Sequence, residues 1–304
     1  MPRRPWPRTL VAAVLAVGLP ACSVRKLAVN SLANALAEGG STFARDDDPE
    51  LVRDAAPFSL KSLEALLEEA PRHRRLLLAA ASGFTSYAYG FLQLDADYAE
   101  VRDLATAEAL RERAVKLYLR ARDYGFRGLE VDQPGLKERL RTSRGPALSK
   151  MKKEHVPLLY WTALAWAGAM GLRKSDSSLT ADQDLAEAMM RRALDLDETF
   201  ELGSIHDFFI SYEGGRSSVG GSLPRAREHF EKAVALARGQ RAWPYLNLAE
   251  SASIPAQDRR EFERLLGEAL AVDTDRAKDQ RLSNLLAQRR ARWLLARVDE
   301  LFVE

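Results

Sequence analysis

The sequence predicts an all-α protein, and three observations indicate this. Beyond Leu51, apolar residues recur almost everywhere at helical spacing, as in Leu60, Leu63 and Leu67. Alternation of β-branched residues, which is typical of strands, is nearly absent. Glycines and prolines interrupt the helical stretches at intervals, as at Pro71. We therefore expect a succession of helices joined by turns.

The N-terminus has the layout of a secretory signal. Three arginines precede the apolar run Leu10–Leu19, and a small residue stands immediately before Cys22. Ten residues span about 15 Å as a helix, whereas a bilayer core is roughly 30 Å thick. The run is therefore too short for a membrane anchor, and we predict a signal peptide over residues 1–21.

Cys22 is the single cysteine of the chain, so it cannot form an intrachain disulfide. It is similar to the acceptor cysteine of a bacterial lipobox, and we predict lipidation there. Pro20 departs from the usual lipobox pattern, which leaves an incidental or buried thiol as the alternative. Ser23, rather than aspartate, follows the cysteine and by resemblance to sorted lipoproteins favours the outer membrane. Residues 22–50 are then a lipidated tether with a short helix, attached by several acyl chains.

The charge balance argues against a nucleic-acid partner. The chain has 45 basic and 43 acidic residues, and cleavage before Cys22 would remove three arginines and no acid. A near-neutral mature chain lacks the basic footprint that phosphate backbones require. We expect contact with the membrane only through the lipid anchor, and no cofactor.

Residues 51–304 form the predicted helical domain. Asp46, Asp47 and Asp48 precede Pro49, which is typical of a helix start because acids and proline favour the first turn. A cation site at this triplet is the alternative, but three adjacent carboxylates cannot all face one ion.

A spaced triad of small, bulky and small residues recurs along this domain. In tetratricopeptide repeats the small side chains let paired helices approach, and the bulky one fills the gap between units. The copies are Ala114, Tyr118 and Ala121; Ala186, Met190 and Ala193; Ala226, Phe230 and Ala233; and, less regular, Phe262, Leu266 and Ala269. The sequence therefore predicts an irregular tetratricopeptide-like helical repeat array (an α-solenoid). Its last helix, about Leu282 to Leu301, is expected to cap the array with an arginine-rich polar face that includes Arg290.

The sequence lacks the common motifs of hydrolases, metalloproteases and phosphate-binding enzymes. His206 is the one histidine followed directly by a carboxylate, and no nucleophile elbow, HExxH pair or phosphate-cradling motif accompanies it. The glycine-rich stretch Gly214–Gly221 lacks the lysine of a phosphate loop and is predicted to be an inter-helix loop. We predict that the protein is not an enzyme and has no metal site. This would change if a carboxylate and His206 met in a pocket.

Two aromatic clusters and one basic segment are the candidate ligand- or pore-lining residues. A cleft for an apolar ligand is typically lined by aromatics and a few polar groups. An arginine facing such a cleft could bind a carboxylate, or could instead form a salt bridge with Glu64, Glu108 or Asp123. The aromatics could equally be core residues. The candidates are Tyr87, Tyr89, Phe91, Arg120, Tyr124, Tyr160, Trp161 and Trp166. Tyr87 and Tyr89 are about 200° apart on an ideal helix, so we expect one of them to face a channel or groove.

Several ordered segments together resemble one family, the TatT component of tripartite ATP-independent periplasmic (TRAP) transporters. The matching segments are Thr42–Ala44, Asp47–Leu51, Ala56–Lys61, Ser82–Tyr89, Leu117–Gly125, Val156–Trp161, Ala193–Asp195, Glu228–Phe230 and Gln288–Leu295. The likeness extends from about Cys22 to Phe302.

The resemblance implies a periplasm-facing lipoprotein of tetratricopeptide-like helices that forms a homotrimer. It also implies a cleft or pore for a small hydrophobic or organic-acid ligand, and a periplasmic solute-binding protein as partner. The alternative function is a scaffold lipoprotein that organises envelope proteins through a concave surface and binds no small molecule.

Overall fold

The computed structural model describes residues 40–217 and 220–303. Within these ranges every regular element is helical and no strand is present, so the prediction of an all-α protein is confirmed. The signal peptide and the proposed acceptor Cys22 lie outside the described residues. No helix in the described ranges has the length and apolar character needed to cross a membrane.

The helices follow one another with short connections. They are α1 (Gly40–Ala44), α2 (Pro49–Glu69), α3 (Arg74–Ala88), α4 (Leu94–Glu100), α5 (Leu104–Glu130), α6 (Leu136–Thr142), α7 (Arg144–Ser149), α8 (Val156–Leu172), α9 (Ser177–Thr180), α10 (Gln183–Leu196), α11 (Ser204–Gly214), α12 (Leu223–Ala237), α13 (Trp243–Leu248), α14 (Arg259–Leu270), α15 (Arg281–Leu295) and α16 (Val298–Leu301). Two π-helical turns, Tyr89–Gln93 and Ala249–Ser253, continue α3 and α13. Short 3-10 turns are Lys153–His155, Phe200–Leu202 and Lys278–Gln280.

The predicted helix start at the acidic triplet is confirmed. Asp48 is the N-cap of α2, and its carboxylate accepts hydrogen bonds from the backbone amides of Glu50 and Leu51. Pro49 occupies the first helical position, where its missing N–H costs nothing. Helix α2 thus begins at Pro49, and the domain boundary at residue 51 stays a prediction.

Each helix that carries a small–bulky–small triad packs on a helix that comes earlier in the chain. These pairs are α3 with α5, α8 with α10, α11 with α12, and α13 with α14. The first triad also contacts α8. Ala114 and Ala121 are buried, and Tyr118 packs over Gly168 of that helix. A Cβ on Gly168 would lie only 2.8 Å from the Tyr118 ring. This pairing agrees with a tetratricopeptide-like array, and the repeat arrangement itself stays a prediction.

The two ends of the described chain meet. Helix α15 packs against α1, α2 and α13, and Leu286 contacts the π-helical turn that follows α3. Ion pairs between Arg289 and Glu50 (2.6 Å) and between Arg45 and Asp279 (2.5 Å) cross the seam. One hydrophobic core accordingly joins residues 52–121 to residues 210–302, and a second occupies residues 126–209.

The C-terminal helix therefore differs from the predicted cap. It breaks after Leu295, and its inner face includes Arg290, which the sequence assigned to the polar surface but which is only 9% exposed. Arg290 stands four residues after Leu286 and four before Leu294, so it lies on the apolar stripe of α15.

Candidate functional site

Four of the predicted aromatic residues, Tyr160 among them, lie in the hydrophobic core. Tyr87 and Phe91 are buried with their rings 5.6 Å apart, and Arg53 lies over the Phe91 ring. Trp166 is fully buried and meets the Phe126 ring edge-on at 5.5 Å. The structure places these side chains among packed neighbours rather than along an open wall.

Tyr89 and Trp161 remain partly exposed, whereas Tyr160 is buried between aromatic rings. Tyr89 begins the first π-helical turn, remains partly exposed, and packs on Trp243 at 5.2 Å between ring centroids. Tyr160 lies between Trp161 and Phe200, with centroid distances of 5.1 and 5.2 Å. Both faces of the segment that carries Tyr87 and Tyr89 are thus covered, because it lies between neighbouring helices.

A buried charged cluster centred on Arg290 lies between the two π-helical turns. The Arg290 guanidinium donates to Glu250, which belongs to the second π-helical turn, at 2.7 Å. It also forms an ion pair with Asp97 of α4 at 3.2 Å. The guanidinium stacks over Trp293 at 4.5 Å and is 5.8 Å from the Tyr98 ring centroid. Such π-helical turns are rare and often occur at functional sites.

Burial governs the electrostatics of this cluster. It raises the pKa of Glu250 and of Asp97, and the nearby Arg290 charge opposes the shift in both. Burial likewise raises the pKa of Tyr98 to about 12. Among the described residues, the Arg290 Nη1 atom and the Tyr98 hydroxyl are buried without a hydrogen-bond partner. These two polar atoms could hold a water molecule or a polar group of a ligand.

A second buried ion pair lies near Tyr160. Arg241 and Asp207 are both buried, with 2.5 Å between Nη2 and Oδ2. Burial raises the pKa of Asp207 to about 6, although Arg241 acts against the shift. Within the described part of the chain, the Arg241 Nε and Nη1 atoms have no hydrogen-bond partner. Arg241 stands just before α13 and Glu250 just after it, so the two clusters lie near opposite ends of one short helix.

The backbone beside this pair is strained. Glu201 and Leu202 adopt left-handed conformations with φ of 43° and 58°, which non-glycine residues rarely take. Each such residue costs of order 1–3 kcal/mol, and strain of this kind is concentrated at functional sites.

Several acids near these clusters are in contact with solvent, yet the protein around them raises their pKa. Glu201 is exposed, yet burial raises its pKa. The Glu250 and Asp97 side chains keep 28% and 26% of their surface exposed, and burial still dominates their pKa shifts. The partly exposed carboxylates of Glu250 and Asp97 form the solvent-facing edge of the Arg290 cluster, and Glu201 lies beside the Arg241 pair; we call these two edges the recesses. We therefore take the recesses at the two ends of α13 as the candidate ligand site.

Sequence reasoning missed Arg290, Glu250, Asp97 and Arg241. Charged residues on helices usually point to solvent, and each of these could have done so. Arg290 alone had a usable signal, its place on the apolar stripe of α15. The partners of the others come from helices far away in the sequence.

The contacts of His206 occupy both of its ring nitrogens and leave none free for catalysis. Its Nδ1 atom is 2.7 Å from Nδ1 of His229, and its Nε2 atom is 3.1 Å from Oε1 of Glu198. The imidazole is fully buried and both nitrogens are occupied. Its neighbour Asp207 pairs with Arg241 instead. The ring therefore has no free nitrogen to exchange a proton with a substrate.

Arg120 and Tyr124 lie apart from the recesses, in a surface groove between α2 and α5. Two adjoining clefts of about 460 and 470 Å³ form this α2–α5 groove. Its lining residues are Lys61, Glu64, Leu67, Glu68, Pro71, Lys116, Leu119, Arg120, Asp123, Tyr124 and Arg127.

Glu64 organises the groove. It accepts a hydrogen bond from the Tyr124 hydroxyl at 2.7 Å and pairs with Lys61 and with Arg120, the latter at 3.4 Å. Burial favours the neutral acid, but the hydrogen bonds from Lys61 and Tyr124, together with the nearby positive charges, lower the pKa of Glu64. Burial and the bond to Glu64 raise the pKa of Tyr124 to about 12. The predicted salt bridge between Arg120 and Glu64 is thus confirmed.

Over the residues that the structure describes, the fold defines an all-helical protein. The chain belongs to the TRAP transporter T-component family, whose model matches residues 45–302. It is similar to an uncharacterized protein of Treponema pallidum (strain Nichols), with 30% identity over 302 residues. That alignment covers 93% of this chain and 94% of the relative.

Proposed function

We propose that this protein is a periplasm-facing lipoprotein subunit of a TRAP transport system, which binds or conducts a small organic ligand together with a soluble solute-binding protein. The family match over residues 45–302 carries the proposal, because it spans nearly the whole described domain and supports an accessory role in TRAP transport.

The proposed anchor is the lipidated Cys22, most simply in the outer membrane because Ser23 follows it. The first described helix, α1, lies eighteen residues further on and packs on α15, so the tether would join the domain at the seam between its two ends. Incorporation of labelled fatty acid should be lost in Cys22→Ala. Retained label would contradict the assignment.

The proposed ligand site is the pair of recesses around α13, with Tyr89 beside the Arg290 cluster and the buried Tyr160 and its neighbour Trp161 beside Arg241. Aromatic faces beside unpartnered polar atoms suit an organic ligand that has both apolar and polar parts. Native mass spectrometry of the mature protein tests this directly, because it reports retained small molecules.

A matched pair of variants locates the ligand. Trp161→Ala should abolish its retention, whereas Tyr124→Ala in the α2–α5 groove should preserve it. The reverse pattern would place the ligand in the groove and contradict the recess. The same spectra report the number of subunits, for which we propose three.

A scaffold lipoprotein without a small-molecule ligand is the second candidate. The exposed aromatic and basic surface near the α2–α5 groove favours it, because arginine and aromatic residues are enriched in protein interfaces. It predicts protein partners and no retained ligand in the same spectra.

A further inference from the structure

Two large apolar residues, which we call the Phe58 stripe, are exposed on the outer face of α2 with the exposed Asp54 between them. Phe58 is 80% exposed and Leu51 is 59% exposed, although both are large hydrophobic residues. They stand seven residues apart, which places them on the same side of the helix two turns from each other. Lys61, which lines the α2–α5 groove, follows Phe58 by three residues and therefore lies beside it.

The groove next to this stripe is lined by four basic and three acidic side chains, so its net charge is positive by one. Lys116, Arg120 and Arg127 of α5 are exposed along it, and Lys61 faces them from α2. Two of its acids are already neutralised: Glu64 by Lys61 and Arg120, and Asp123 by Arg122 at 2.8 Å and Lys137 at 3.6 Å. Glu68 remains as the acid with no ion pair among the contacts above.

The floor of the groove is aromatic and preorganised. The Phe84 and Tyr124 rings stack at 5.9 Å, Arg120 lies over Phe84 at 5.4 Å, and Arg127 lies over Tyr124 at 5.2 Å. Arg127 also donates to the Pro71 carbonyl at 3.2 Å. Arginines held in this way lose little side-chain freedom on binding, which favours affinity.

We propose that the Phe58 stripe and the α2–α5 groove together form the docking surface for an acidic, partly apolar segment of the soluble solute-binding protein. This inference rests on the proposed function, because that function supplies the partner. Charge complementarity selects an acidic surface, and Phe58 would insert into an apolar pocket of the partner as a central anchor.

Site-specific photo-crosslinking tests the position of the interface. A photoreactive residue at position 58 of the full-length protein should crosslink to the purified TRAP solute-binding protein from the same genome. The matched control is position 104, because Leu104 is 56% exposed. It lies twelve residues, about 18 Å, from Lys116 along α5. Equal crosslinking at both positions would overturn the proposal, as would crosslinks at position 58 only to lipid or to another copy of this chain.

Binding measurements test the chemistry. Phe58→Ala should weaken the partner's affinity about tenfold, the effect expected for an interface anchor. Arg120→Glu combined with Arg127→Glu should weaken it at least as much and should reduce its dependence on salt. Arg260→Glu combined with Arg264→Glu, an equal charge change at two exposed positions on α14, should leave the affinity unchanged.

The binding results distinguish a failure of the proposed docking surface from a failure of the proposed function. If the wild-type protein binds the solute-binding protein and the groove variants bind equally well, the docking surface is wrong and the proposed function stands. If the wild-type protein does not bind it, the partnership in the proposed function fails as well. If only vesicles containing anionic lipid bind in a Phe58-dependent manner, the surface faces the membrane instead.

Discussion

Arg290 stays buried only while Glu250 and Asp97 lie opposite it. Removing one partner of a buried pair leaves an uncompensated charge, at a cost of about 3–5 kcal/mol. We expect Arg290→Ala to lower the free energy of unfolding by this amount in urea denaturation. Arg292→Ala, two residues away and exposed, should change it by no more than about 0.5 kcal/mol. Equal costs would contradict the buried cluster.

The histidine pair predicts acid sensitivity. Burial and the neighbouring His206 lower the pKa of His229 to about 4 from its ordinary 6.5. The unfolded chain therefore takes up this proton first, so stability should fall as the pH decreases from about 6.5 to about 4, by at most roughly 3 kcal/mol.

His229→Gln should flatten that loss, because glutamine does not titrate. Chemical denaturation at a series of pH values gives the comparison. Asp207, whose pKa is raised to about 6, stabilises the fold in the opposite sense as the pH falls, so only the difference between variant and wild type is diagnostic. An unchanged profile in the variant would contradict the role of His229.

Individual side chains were the least predictable part of this molecule. The aromatic pattern found Tyr89 and Trp161, which remain partly exposed, but could not separate them from core residues such as Tyr160 and Trp166. Helical spacing gives the direction of a side chain and not what covers it. A segment such as the one carrying Tyr87 and Tyr89, which is covered on both faces, defeats reasoning that assumes one buried face.

At the scale of helices, the crossing of α5 and α8 depends on a glycine. A Cβ on Gly125 would lie 2.0 Å from the Thr162 hydroxyl oxygen and 3.2 Å from the Thr162 backbone. Gly125→Ala should therefore destabilise the protein by about 1–3 kcal/mol through overpacking.

Gly267→Ala is the matched control. Gly267 lies inside α14 with no neighbouring atom within 4 Å of an added Cβ. Alanine there should stabilise the helix by roughly 0.5–1 kcal/mol, because it restricts the unfolded chain. Thermal unfolding of both variants should give shifts of opposite sign, and shifts of the same sign would contradict the packing.

Helix starts and the paired helices were accessible from the sequence, and the π-helical turns were not. The cap at Asp48 and the triad of Ala114, Tyr118 and Ala121 depend on residues that are close together in the sequence, so the sequence pattern indicates them. A π-helical turn shifts the spacing of the apolar residues by one position. Irregular helices show the same shift for many other reasons, so the shift does not identify a π-helical turn. Gly90, inside the first of these turns, approaches Leu286 of α15, so the turn follows tertiary packing.

At the scale of the whole molecule, the contact between α15 and the N-terminal helices closes the domain. A truncation after Gln280 removes Leu286 and Leu294 from the core shared with α2 and α3. We expect it to expose α2 and α3 to hydrogen exchange as well as α13 and α14. Exchange confined to the C-terminal half would show that the two ends are independent. The sequence could not predict this closure, because residues about 240 positions apart form it, as Glu50 and Arg289 do.

The central claim, an accessory subunit that binds a small ligand and a soluble partner, is tested most directly by native mass spectrometry of the mature protein mixed with the TRAP solute-binding protein. We predict an assembly that contains both proteins and a retained small organic molecule. Two separate species, with no bound molecule on either, would contradict the claim.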